Sequence, residues 1–162
     1  MASVSDIRGM TIPNFYSGLV LLSFAVAFIA LSIGGQGQVF GPLWSHVASG
    51  GIFFVVTFIM FAVGALGAAD SKLGAVYALW FSLGNMPVYL FFMALVGGIL
   101  GVCSLLIKRF KPFKNAPEGS WIDLVQGGAS KVPYGVAIAF GMFIAFCYAG
   151  YFSPALLSTF LS

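Results

Sequence analysis

The chain has 162 residues, 60% of them hydrophobic and only 7% charged, with a formal net charge of +3. That composition excludes an ordinary soluble domain and predicts an integral membrane protein whose few basic residues report orientation, not a nucleic-acid partner. Lipid offers the backbone no hydrogen-bond partners, so long apolar runs without alternation predict an all-α, polytopic transmembrane helix bundle, here within a single domain over residues 1–162.

In chain order the apolar segments run from Phe15 to Ile33, Val47 to Leu66, Leu73 to Leu83, Met86 to Ile107 and Pro133 to Phe152. A hydrocarbon core of ~30 Å takes ~20 helical residues to cross, so four of the five are long enough unaided. Leu73 to Leu83 covers only ~17 Å, and fusing it with the next segment would give a helix of ~50 Å, too long even when tilted. Gly84-Asn85-Met86-Pro87 therefore reads as a turn, and five spans are expected. To cross, the short segment must recruit Ala68, Ala69, Asp70, Ser71 and Lys72 into its first turn. Asp70 then stands at the mouth of a membrane helix, where an ionisable group is costly and points to function. A carboxylate in a first turn also complements the helix dipole, so the residues alone leave a second reading open, a helix cap paired with Lys72.

Taking alternate connections as one side, all seven basic and all four acidic residues fall together. Asp6 and Arg8 precede the first span, Asp70 and Lys72 follow the second, and the remainder occupy the connection 108–131. The connections Gly34 to His46, Gly84 to Pro87 and Ser153 to Ser162 carry none. The positive-inside rule makes the charged side cytoplasmic. Lys108-Arg-Phe-Lys-Pro-Phe-Lys114 is basic and aromatic, suited to anionic lipid; Gly119 to Lys131 reads as a polar loop. Gly97-x-x-x-Gly101 suits close helix packing, and the phenylalanines suit lipid-facing or packed surface. Cys103 and Cys147 lack metal-ligand spacing and read as small buried hydrophobes; His46, the single histidine, reads as structural or solvent-facing. No cofactor or metal is expected, and the oligomeric state is left open.

Two acids flank predicted spans on the charged side, Asp6 and Asp70. Brought together, two carboxylates share a proton: one pKa rises, the other stays low, and the pair supplies an acid and a base that activate water for amide hydrolysis. A Ser/His/Asp triad would need His46, on the opposite side. A phosphate loop would need a glycine before Lys72.

Three motifs in order carry a family resemblance. Ser5 to Asn14, SDIRGMTIPN, resembles the D-x-R-x-x-x-I-P-N element of type IV prepilin peptidases. Gly67 to Lys72, GAADSK, resembles their GxGD motif with its following lysine. Val132 to Ala139, VPYGVAIA, is similar to the segment opening the last helix of the short, CpaA/TadV-type branch that serves Flp (tight-adherence) pili. The resemblance implies a membrane aspartic endopeptidase that removes the leader of a prepilin or pseudopilin at the cytoplasmic face of the bacterial inner membrane. It places Asp6 and Asp70 as the catalytic pair, with Arg8, Pro13, Asn14, Gly67, Lys72, Tyr134 and Gly135 shaping the site. Membrane lipid is the other expected partner. Ala69 stands where the motif has its second glycine, which a helical backbone tolerates. The family's first helix is expected to be missing, since five residues precede Asp6. The alternative readings are a small proton-coupled transporter using Asp70 and a noncatalytic membrane subunit.

Overall fold

A computed structural model describes residues 2–9, 13–35 and 37–153. Among these the chain is all-α: α1 (Ala2–Gly9), α2 (Asn14–Ile33), a 3-10 turn (Gly37–Val39), α3 (Leu43–Ala62), α4 (Ala68–Ala78), α5 (Met86–Phe110), α6 (Trp121–Gln126) and α7 (Tyr134–Tyr148). Three helical stretches are long and apolar enough to cross a membrane, Asn14–Ile33, Gly37–Ala62 and Met86–Phe110; Tyr134–Tyr148 is a shorter apolar helix. Their outward faces remain apolar and exposed, as at Leu22, Val26, Ile59 and Val102, the surface expected of helices solvated by lipid tails.

The short third segment does begin at Ala68 and takes Asp70 into its first turn, but it ends at Ala78. At eleven residues α4 rises only ~17 Å. The break before α5 falls earlier than the sequence suggested. Met86 and Pro87 already belong to the first turn of α5, where a proline's missing N–H leaves no helical bond unmade.

The core forms where α4 is enclosed by α2, α3 and α7, and α5 by α7. Phe81, Tyr89 and Phe53 stack at its centre, with ring centroids 5.3 Å and 5.5 Å apart. Gly141 lets α7 lie against α5, since a Cβ there would meet the Met93 backbone nitrogen at 2.8 Å. One end of the bundle is aromatic: Phe24, Phe28 and Phe40 surround His46, with Trp80 against Phe24 and Phe40 and Tyr151 against Phe40. His46 is buried, its ring nitrogens 2.9 Å from the Leu79 carbonyl and 2.7 Å from the Phe40 carbonyl, so its place is structural and not solvent-facing.

The other end is polar, and two of its connections start the same way. After α3 the chain turns through Gly64 at φ +77°, with Gly64 N–H donating to Phe61 O and Ala65 N–H to Met60 O. After α6 it turns through Gly128 at φ +105°, with Gly128 N–H donating to Val125 O and Ala129 N–H to Leu124 O. Each is a Schellman stop, which needs a residue free to adopt positive φ.

Two expectations need correction. The segment 119–131 is not simply a loop: Ser120 caps α6 by accepting from Asp123 N–H at 3.3 Å, Val125 is fully buried, and Trp121 Nε1 donates to the Lys131 carbonyl at 3.1 Å. Cys147 is exposed on the apolar surface, and Cys103 is partly so. In a lipid-facing helix an apolar residue gains nothing from being inside, so hydrophobicity does not imply burial.

Candidate active site

Three segments remote in sequence converge at the polar end. A cavity of about 610 Å³ is lined by Asp6 of α1, by Gly64 to Gly67 and Asp70 from the α3–α4 connection and first turn of α4, and by Ser130, Lys131, Val132 and Tyr134 ahead of α7. Helix α1 is held there by the start of α7. Gly135 N–H donates to Asp6 Oδ2 at 2.8 Å, while Ser3 Oγ donates to the Gly135 carbonyl at 3.0 Å. One residue thus grips α1 through both of its backbone polar groups. The N-terminus of a helix also favours a carboxylate at this place, by its unpaired N–H groups and its dipole.

The two acids differ in their surroundings. Asp6 is buried, and burial raises its pKa while the Gly135 N–H draws it back. Asp70, outside the three long apolar spans, is raised from 3.8 to about 7, first by burial, then by the negative charge of Asp6, with the Gly67 N–H opposing both. Asp70 Oδ1 is buried with no hydrogen-bond partner among the described residues. A carboxyl group in that position is favoured in its protonated form toward neutrality, and its buried oxygen has hydrogen-bonding capacity left unused. Together the pair can present a base and an acid at once.

Two further features hold Asp70 in place. Gly67, the residue before α4, has ordinary extended dihedrals, so its importance is space: a Cβ there would lie 2.6 Å from Asp70 Oδ2. One residue beyond Asp70, Ser71 Oγ is hydrogen-bonded to Thr57 Oγ1 of α3 at 2.7 Å, both side chains being buried. Ala69 lies within α4 at negative φ, so the missing motif glycine imposes no backbone strain.

Of the residues singled out from the sequence, Asp6, Gly67, Asp70 and Tyr134 line the cavity and Gly135 bonds Asp6. Arg8 and Lys72 are exposed and lie outside that lining, as do Pro13 and Asn14, which start α2. Asp70 and Lys72 form no ion pair. The intervening Met10, Thr11 and Ile12 of the first motif lie outside the described residues. Ser3, Thr57 and Ser130 were not singled out from the sequence; Ser71 and Val132 lay inside the second and third motifs, and Lys131 at the end of the expected polar loop, without a role of their own. Among the described residues no group of three His, Cys, Asp or Glu side chains is placed to hold a metal ion.

A bundle with three long apolar helices and with Asp6 and Asp70 lining one cavity at its polar end is the architecture of an integral membrane protein. The model of the type IV leader peptidase family matches residues 1–102, more than half of the chain, and the chain belongs to that family: it is an aspartic-type leader peptidase, a hydrolase of peptide bonds. Membership implies cleavage of a prepilin leader peptide, and with the apolar helices it makes this an integral membrane protein. The transporter and noncatalytic alternatives are thereby set aside. The match spans Asp6 and Asp70 and stops before Tyr134 and Gly135. Comparisons with curated proteins and with solved structures return no match.

Proposed function

We propose that Asp6 and Asp70 are the catalytic pair and that the 610 Å³ cavity receives the scissile peptide bond. Asp6, whose pKa is raised by burial but drawn back by the Gly135 N–H, is the acid assigned the ionised form and takes a proton from a water molecule. The water oxygen attacks the scissile carbonyl carbon, Asp70 gives its proton to the departing amide nitrogen, and the C–N bond breaks. The proton taken by Asp6 and the one lost by Asp70 restore the starting state through solvent, so no other reactant is consumed. The observation that carries this reading is the shared cavity, in which the Asp6 charge helps to keep Asp70 protonated near neutral pH.

The finer assignment is a prepilin or pseudopilin of the Flp type, cut at the cytoplasmic face of the bacterial inner membrane by a single membrane peptidase domain. The third motif, which includes Tyr134 and Gly135, supports the short CpaA/TadV-type branch. The gathering of all charged connections toward one end supports the orientation, through the positive-inside rule. In that arrangement α4 together with the chain on to Leu83, and α7, complete a five-span topology with Asp70 at the mouth, outside the apolar crossing, and Arg8, Pro13, Asn14 and Lys72 support the entry of α1, α2 and α4 to the site. The test is co-expression with a Flp-type prepilin. Leader removal is abolished by Asp6→Asn and by Asp70→Asn; cleavage that persists in both variants overturns the assignment.

A further inference from the structure

A second cavity, about 510 Å³ and lined almost wholly by apolar groups, lies between α3 and α5. Helix α3 packs chiefly on α4, and α5 on α7, which leaves α3 and α5 separated by a groove. Its walls include Val56 and Met60 of α3 and Met93, Ala94, Gly98 and Gly101 of α5. Along α5 it extends from Met86 to Gly101, roughly 22 Å at the helical rise, or about four turns.

Tyr134 connects this groove to the acid cavity, because its side chain lines both. The ring lies over Gly97, where an added Cβ would come within 3.3 Å of it. On α3 the groove reaches Met60, and the chain beyond it, Gly64 to Gly67, lines the acid cavity. A polypeptide leaving the two aspartates past Tyr134 therefore passes directly into an apolar groove bordered by exposed Ile52 and Val56.

We propose that this groove is the docking site for an apolar helical segment of the substrate adjacent to the scissile bond, a reading that rests on the peptidase assignment. Continuity with the acid cavity selects a substrate segment over a lipid tail or a second copy of this chain, since neither of those needs to reach the aspartates. A segment entering from lipid must satisfy its own backbone and so is helical. The glycine wall fits that shape: a Cβ at Gly98 or Gly101 would have no neighbour within 4 Å, leaving a flat strip on which a helix can lie closely. Met60, Met86 and Met93 supply flexible, polarisable contacts that adapt to different apolar side chains. Binding there sets the register of the chain, and Tyr134 stands where the apolar segment gives way to the bond being cut.

The test uses the full chain in lipid nanodiscs and a synthetic peptide with a short basic leader followed by an apolar segment of about 15 residues, enough for four turns. A photo-crosslinking residue is placed at Ala94, in the groove, or at Leu95, exposed on the neighbouring face, in an Asp70→Asn background. Capture of the apolar segment from position 94, weak capture from 95 and loss of capture on adding Gly98→Leu support the proposal. Crosslinks to lipid or to a second copy alone, or equal capture from both positions, overturn it. In the otherwise unaltered enzyme, Gly98→Leu raises KM about tenfold with little change in kcat, the effect of losing one apolar side chain's burial. Gly51→Leu, also without neighbours at its Cβ but outside the groove, leaves KM unchanged. Capture does not depend on turnover, so it reports on the groove even if cleavage survives in Asp70→Asn, an outcome that would instead reject the catalytic roles.

Discussion

Gly135 N–H donates to Asp6 Oδ2 across a sequence separation of 129 residues, fastening the first helix to the start of the last. The same glycine accepts from Ser3 Oγ, so α1 is docked by two hydrogen bonds, one to the N–H and one to the carbonyl of a single residue. The placement of Asp6 beside Asp70 depends on that grip, because α1 is a helix of eight residues and too short to be stable alone.

Ser3→Ala removes one of the two bonds and leaves the Gly135 carbonyl without that donor. The expected cost is about 1 kcal/mol in the docking of α1. It should appear as faster amide hydrogen exchange in residues 2–9 with exchange in α5 unchanged, and as a loss of activity of about fivefold. Unchanged protection of α1 would contradict the docking role.

Activity should fall as pH rises through about 7, where Asp70, raised by burial and by the Asp6 charge, loses its proton; a pH profile of leader removal checks it. The stability consequence has a definite sign. The folded state holds Asp70 protonated up to about 7 whereas an unfolded chain releases that proton near 3.8, so between these values the native state binds more protons and stability declines as pH increases. Asp70→Asn removes this penalty. Allowing for partial solvent screening, it should stabilise the detergent-solubilised protein by about 2 kcal/mol at pH 8 and by much less at pH 4. Thermal unfolding at the two pH values checks both.

Gly67 and Ala69 lie three residues and one residue before Asp70 and should respond differently. Gly67→Ala places a methyl group 2.6 Å from Asp70 Oδ2, and the carboxylate is the part that can move. The fold should persist while kcat falls about 10²-fold, the usual penalty for displacing a reacting group by about an ångström. Ala69→Gly restores the motif glycine but relieves no strain, since residue 69 is already helical. It should leave kcat within about twofold and cost ~0.5–1 kcal/mol in stability.

Thr57→Val keeps the side-chain shape in α3 but strands the buried Ser71 hydroxyl next to Asp70. A loss of roughly 1–3 kcal/mol is expected from the unsatisfied group, with partial recovery in the double variant Thr57→Val/Ser71→Ala, where both polar groups are gone. Chemical denaturation of the single and double variants measures the coupling.

The long helices α2, α3 and α5 were readable because twenty apolar residues in lipid have few other solutions. Helix α4 was harder, since eleven residues do not decide by length whether it crosses, and the last segment, expected to cross over Pro133 to Phe152, is helical only over the fifteen residues Tyr134–Tyr148. Helix α6 was missed: six residues in a mostly polar stretch give no sustained period, and what holds it is the burial of Val125 and a Trp121 bond to the chain just ahead of α7. Asp6, Asp70, Gly67, Tyr134 and Gly135 could be found because each sits in a compact motif. The Ser130 and Lys131 part of the cavity wall could not, as it follows the Schellman turn at Gly128 and has no local pattern of its own. Phenylalanine content likewise did not separate surface from core: Phe15 is 69% exposed, while Phe53 is 2% exposed.

The most direct measurement is leader removal from a Flp-type prepilin co-expressed with wild-type enzyme, Asp6→Asn or Asp70→Asn, with membrane levels of the enzyme matched. The paired-aspartate account predicts processed pilin with the wild type and only full-length prepilin with either variant. Normal processing by both substituted enzymes would contradict it.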